Sequence, residues 1–219
     1  IEEPDYWLVN GYPWEFMRPE LSYTIRFGGR LISQNDRALW VDTDDVIATA
    51  YDSGVPGHKM RSVVTMRLWS ARASGGANLD AFNRGDYIRA VETKNMSENV
   101  SRVLYPDDSS DHGRELRLKQ EFFFVSASLQ DILRRHLKIH SGFEQLADKV
   151  AIHLNDTHPA LAVPELMRLL MDEHQLPWES AWSLCTRIFS YTNHTLMEEA
   201  LETWPVDLLE RVLPRHMAL

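Results

Sequence analysis

Apolar residues recur at Val163, Leu166, Met167, Leu170 and Met171, the i, i+3, i+4, i+7, i+8 spacing of a helix with one buried face. Just upstream, KVAIHL (149–154) is a short apolar run of the kind that buried strands show. Between the two, Asn155, Asp156, Thr157 and His158 gather four polar side chains at the carboxyl end of the predicted strand, where open α/β sheets keep their ligands. Thr157 followed by Pro159 predicts a helix start with the hydroxyl as cap. The first third reads as strands: LSYTIRFGG (21–29) alternates and ends on Gly28-Gly29, ALWVDTDDVIATAYD (38–52) is long and β-branched, and SVVTMRLWSA (62–71) follows the turn residues SGVPG. From 78, NLDAFNRGDYIRAVETKN predicts a helix with Asn78 as a cap, and YPDDSSDHGRE (105–115) reads as a mobile loop. Leu118, Phe122, Val125, Leu129, Ile132 and Leu133 predict a long helix over 115–140, and further helices are expected at 177–189 and around 196–202. Strands first and αβα later indicate a mixed α/β fold.

Charge narrows the partners. At −9 net and a pI near 5.5, the chain lacks the clustered cations that nucleic acid or anionic membranes require. With 44% apolar residues it can fill a core, and no apolar run approaches a membrane span. The single cysteine, Cys185, cannot form an internal disulfide, so a cytoplasmic location is expected. Four Asn-x-Ser/Thr sites, at 95, 99, 155 and 193, would matter only on secretion. A start at Ile1 gives the impression of a piece of a longer protein.

Two chemistries compete for the polar cluster. His153, Asp156 and His158 are metal-ligand types, but alternation along a strand would put His153 on one face and the other two opposite, leaving two ligands. Asp107, Asp108 and Asp156 supply carboxylates for glycoside chemistry, though separation is not legible and paired Asp residues in a Ser-rich loop are common solvated turns. His194 in YTNHT reads first as a hydrogen-bonded structural residue, and Arg134-Arg135 as favourable charge at a helix C-terminus.

NDTHPALAVPELMRLLMD (155–172), YTNHTLMEEALETWPVDLLERVLPRH (191–216), ENVSRVLYPDD (98–108) with GRELRLKQEFFFVSASLQDILRR (113–135), and WVDTDDVIATAYDSGVPGHKMRSVVTMRLWSA (40–71) together resemble the α-glucan phosphorylases of glycogen, starch and maltodextrin, in a bacterial texture. The resemblance covers the whole chain. It implies part of a Rossmann-like N-terminal glycosyltransferase domain, the middle to late portion, without the glycine-rich loop and without the cofactor domain. It further implies reversible phosphorolysis of terminal α-1,4 bonds, with retention, giving glucose 1-phosphate. The partners implied are α-1,4-glucan, inorganic phosphate and a second subunit in a homodimer. Pyridoxal phosphate would sit on a lysine of the parent enzyme; none of Lys59, Lys94, Lys119, Lys138 and Lys149 lies in a context resembling that site, so no catalytic residue, metal or cofactor is expected on this chain.

By the same resemblance Asp156, His158, His194 and Ala200 are sugar-site positions, His194 through its main-chain carbonyl. Tyr105, Asp107, Asp108 and Ser109 belong to a gate over the active site, with Asp108 restraining an arginine elsewhere in the parent until phosphate binds. Asp107 and Ser109 depart from the asparagines common in the family, which puts direct sugar contacts by the gate in doubt. Arg134 and Arg135 match a nucleotide-phosphate site of the animal enzymes, a regulatory role that does not transfer automatically. A different class of function, a non-catalytic carbohydrate-binding or assembly module, is the competing reading.

Overall fold

The computed structural model describes residues 13–34, 37–75, 86–198 and 201–219. Asn78 and Ala200 lie outside them. The chain forms two compact units, one of residues 1–26 and 45–120, the other of 27–44 and 121–219.

In the first unit, β1 (Glu15–Phe27), β4 (Asp44–Pro56) and β5 (Val63–Ala73) form a sheet in the order β1-β4-β5, with β4 and β5 antiparallel from Val46↔Ala73 to Pro56↔Val63. Its buried apolar residues are Leu21, Ile25, Val46, Ala48 and Ala50, at the alternate positions of a half-buried strand, and Leu68, Trp69 and Ala71 of β5, which is buried on both faces from Leu68 to Ala71. α1 (Tyr87–Arg102) packs on β5, and the Ser101 hydroxyl accepts a hydrogen bond from the Ala71 backbone N–H at 2.8 Å. Asp52, nearly buried, draws in Arg18 at 2.9 Å and Arg67 at 2.5 Å, so its charge is compensated within the sheet.

The second unit holds the antiparallel hairpin β2 (Arg30–Gln34) and β3 (Arg37–Val41), and the parallel pair β6 (Ile152–Asn155) and β7 (Phe189–Thr192). Its helices are α3 (Leu146–Lys149), α4 (Ala162–Arg168), α5 (Trp178–Ile188), α6 (Val206–Val212) and α7 (Pro214–Met217). α2 (Asp111–Leu137) contributes its residues from Glu121 onward. Val125, Leu129, Leu133, Leu154, Leu166, Met167, Leu170, Leu184 and Ile188 form one core. The Gly28 N–H reaches the Val212 carbonyl at 2.8 Å, and Trp40 donates its indole N–H to the Gly28 carbonyl at 2.7 Å. Both Gly28 and Gly29 take positive φ, 60° and 72°, so the turn foreseen there needs residues without a Cβ.

Several expectations are corrected. The run 38–52 is two strands, because Asp42 at φ 56° turns the chain between β3 and β4. The amphipathic stripe is right but its helix is not uniform: after Arg168 the backbone widens into a π turn, Leu169–Glu173, closed by the His174 N–H on the Leu169 carbonyl at 3.2 Å. Around 196–202 the described residues form no regular helix, and the helix comes later, as α6, after Pro205 sets a helical start. Mixed α/β architecture with open sheets stands as the fold class. Among the described residues no helix is long and apolar enough to cross a membrane.

Candidate functional site

β6 and β7 run side by side in parallel, Asn155 opposite Thr192, and the Asp156 N–H extends the ladder to the Thr192 carbonyl at 2.8 Å. Both strands therefore deliver their following residues, 156–158 and 193–198, to the same carboxyl edge. There the strand stops: Asp156 takes φ 68°, a left-handed conformation that Asp tolerates better than most side chains, and its carboxylate accepts the Thr157 N–H at 2.8 Å. The expectation that Asp156 and His158 share a strand face fails, since neither is in the strand. The Thr157 cap fails as well. Its hydroxyl is buried without a partner, residues 157–161 form turns, and α4 starts at Ala162 with no side-chain cap. Pro159 has no N–H to offer the hydroxyl, and the Ala160 N–H is already bonded to the Thr157 carbonyl at 2.9 Å in a tight turn that precedes the helix.

The three histidines here do different things. His153 leans across to β7, with Nδ1 3.0 Å from the Ser190 hydroxyl and Nε2 2.8 Å from that of Thr192, so it staples the two strands and is no partner of Asp156. His194 places Nε2 2.5 Å from Asn155 Oδ1 and, since an amide oxygen only accepts, donates that N–H. This anchors the 193–198 loop to the end of β6, and the Asn193 and Thr195 side chains accept the Thr195 and Met197 N–H groups at 2.6 and 3.0 Å. His158 sets Nδ1 3.2 Å from a Glu202 carboxylate oxygen and 3.9 Å from one of Glu121. Those two glutamates went unnoticed in the sequence, and the signal for one of them was Glu121 standing beside Phe122 and Phe123 in an apolar helix face.

The segment 105–110 lies in the first unit, tied to the start of α2. Tyr105 takes φ 53° and lies under the Arg117 guanidinium, 5.9 Å from its ring centre. Asp107 accepts the Ser109 N–H at 2.9 Å, and hydrogen bonds from Ser109 hold its carboxyl below the usual carboxylate range. Asp108 bonds Arg114 through its carbonyl at 3.1 Å and Arg117 through its carboxylate at 3.0 Å. Gly113 is required there: a Cβ would collide with the Asp107 carbonyl. Gly113→Ala is expected to push the loop off α2 and cost about 1–3 kcal/mol, the usual range for overpacking. Thermal unfolding together with faster proteolytic cutting within 105–110 checks it; unchanged values of both would show that the helix can absorb the methyl group.

A lysine that forms a Schiff base needs a desolvated amine. Lys59, Lys94, Lys138 and Lys149 are exposed, and Lys119 is paired with Glu115 at 2.6 Å, so the lysines of this chain do not fit covalent pyridoxal phosphate.

Comparison with known proteins identifies the family. The family model for carbohydrate phosphorylases matches residues 1–219. The chain is 56% identical over 219 residues to a glycogen phosphorylase of Haemophilus influenzae and 54% identical to one of Pasteurella multocida. It is 52% identical over 227 aligned positions to the human liver form of glycogen phosphorylase. In each case the whole chain is covered, and it spans about 27% of the relative's length. The chain belongs to the carbohydrate phosphorylase family.

Proposed function

We propose that the chain is a portion of a cytoplasmic, homodimeric α-glucan phosphorylase that reversibly cleaves terminal α-1,4 bonds with inorganic phosphate, with retention, releasing glucose 1-phosphate. The observation that carries this reading is the match to the family over every residue, at more than 50% identity to glycogen phosphorylases from bacteria and animals. In this reading the chain is part of a Rossmann-like N-terminal domain, and the carboxyl edge of β6 and β7 is one wall of the sugar pocket. Asp156 and His158 contact the sugar. The His194 carbonyl faces it, held in place by the Asn155 bond and the Asn193 and Thr195 turns, and Ala200 completes that side. Tyr105, Asp107, Asp108 and Ser109 form the gate, whose Asp108 is held by Arg117 in this structure.

Pyridoxal phosphate would supply proton relay through its phosphate in the parent enzyme. It would be bound by a lysine other than these five, so the residues here position substrate and exclude water and carry no step through that group. The competing reading, a non-catalytic carbohydrate-binding or assembly module, has no observation in its favour.

The full-length parent is expected to release α-glucose 1-phosphate from maltoheptaose and phosphate, while this chain alone does not. Borohydride reduction of the chain after incubation with pyridoxal phosphate is expected to leave all five lysines unlabelled. Stoichiometric labelling of one of them, or a β-configured product from the parent, would overturn the assignment.

A further inference from the structure

We propose that Glu121, His158 and Glu202 form a binding site for a divalent transition metal ion, Zn²⁺ in the first instance. The three come from separate parts of the second unit: α2, the turn after β6, and the stretch before α6. Their ligand atoms all lie within 4.8 Å of one another, with His158 Nδ1 3.2 Å from Glu202 and 3.9 Å from Glu121. Ligands about 2.0–2.2 Å from one ion stand roughly 3–4.3 Å apart in tetrahedral to octahedral arrangements, so an ion fits after side-chain adjustments of well under an ångström.

Burial separates this group from an ordinary cluster of surface acids. The Glu121, Glu202 and His158 side chains are only 5%, 12% and 29% exposed. Two largely buried carboxylates from distant parts of the chain meet here at one ring nitrogen. The imidazole also selects the ion. Mg²⁺ and Ca²⁺ prefer all-oxygen shells, whereas one imidazole with two carboxylates suits Zn²⁺, Co²⁺ or Mn²⁺. Three protein ligands would leave a further position open to water or to a hydroxyl. Coordination by Nδ1 takes the ring as its Nε2–H tautomer, so the hydrogen bond that His158 Nδ1 otherwise makes with Glu202 gives way to the ion. The site shares His158 with the sugar wall of the phosphorolysis reading, but metal titration of the chain without substrate reads it independently of that role.

The test is titration of the chain with Zn²⁺ by calorimetry and with Co²⁺ by visible absorption. One equivalent is expected to bind, and His158→Ala and Glu202→Gln should each weaken it by at least about 100-fold, since losing a ligand costs no less than losing the groups that orient it. Glu202→Gln keeps the shape of the side chain and guards against a folding defect in the other variant. The chain has nine histidines, so adventitious binding has to be distinguished. Absorption-edge spectroscopy should find one imidazole in the shell, and His153→Ala should leave the affinity unchanged. No stoichiometric binding, binding that survives in both ligand variants, or a shell with two or more imidazoles would overturn the proposal.

Discussion

Glu165→Leu will destabilise the chain by about 3–5 kcal/mol, because it strips an acceptor from three buried side chains at once. Glu165 is fully buried. It accepts from the Ser126 hydroxyl at 2.6 Å, from Arg168 at 2.7 and 2.9 Å, and from His216 at 2.7 Å. Arg168 would retain Glu173 at 3.0 Å, but His216, whose Nδ1 is already buried without a partner, would lose its one bond. At about 2–4 °C per kcal/mol for a chain of this size, the midpoint should fall by roughly 6–20 °C. A shift below 2 °C would show that the cavity left behind is wet or that the network contributes nothing net.

The same carboxylate sets an acid limit. Burial pushes its pKa up, but the Arg168 charge, with hydrogen bonds from Arg168 and His216, reverses that and brings it down from 4.5 to about 2. A depressed folded-state pKa stabilises above the unfolded value. The contribution, about 3 kcal/mol, is present above pH 4.5 and lost as pH falls from there towards 2. Denaturant titrations across that window should show the wild type losing more stability than Glu165→Leu, which has no such carboxylate to protonate.

Local patterns in the sequence announced what local physics decides. The 3.6-residue stripe of 163–171, the helix at 178–188 and the early strands were all legible, since each depends on neighbours within a turn or an alternation. Glu165 and Arg168 hid inside that stripe as two charges on a face otherwise apolar. Their spacing of three residues hinted at a pair, but nothing nearby pointed to His216 or Ser126. The cluster of Glu121, His158 and Glu202 was invisible for the same reason, each member being remote from the others in the chain. Conversely, Thr157 looked like a cap on local grounds and lost to the Pro159 turn. The polar site was thus found by its strand end, and its partners only by the fold.

His158→Ala in the full-length parent is expected to lower the catalytic efficiency of phosphorolysis roughly 10–100-fold, the scale set by a small misplacement of substrate. The ring is part-exposed at the strand edge, so little core packing is lost. The opposing account is that His158 serves only to neutralise Glu202 and Glu121, in which case the substitution should lower the melting temperature by leaving two carboxylates facing each other. The measurements that decide are kcat and KM together with the melting temperature. A fall in melting temperature with both kinetic constants unchanged would remove His158 from the sugar site, whereas reduced efficiency at a nearly constant melting temperature would keep it there.

Each unit is made of two stretches separated by the other unit's residues, which has a consequence for how the protein is born. The segment 27–44 belongs with 121–219, and the Gly28 N–H must find the Val212 carbonyl. On a ribosome adding about 5–20 residues per second, that carbonyl emerges roughly 10–40 s after its donor. For that interval the β2–β3 hairpin has only itself, and a lone two-stranded hairpin is marginal in water. The nascent chain therefore completes its second unit after translation has passed residue 212, and until then carries Trp40 and Leu31 as exposed apolar surface for a chaperone to cover.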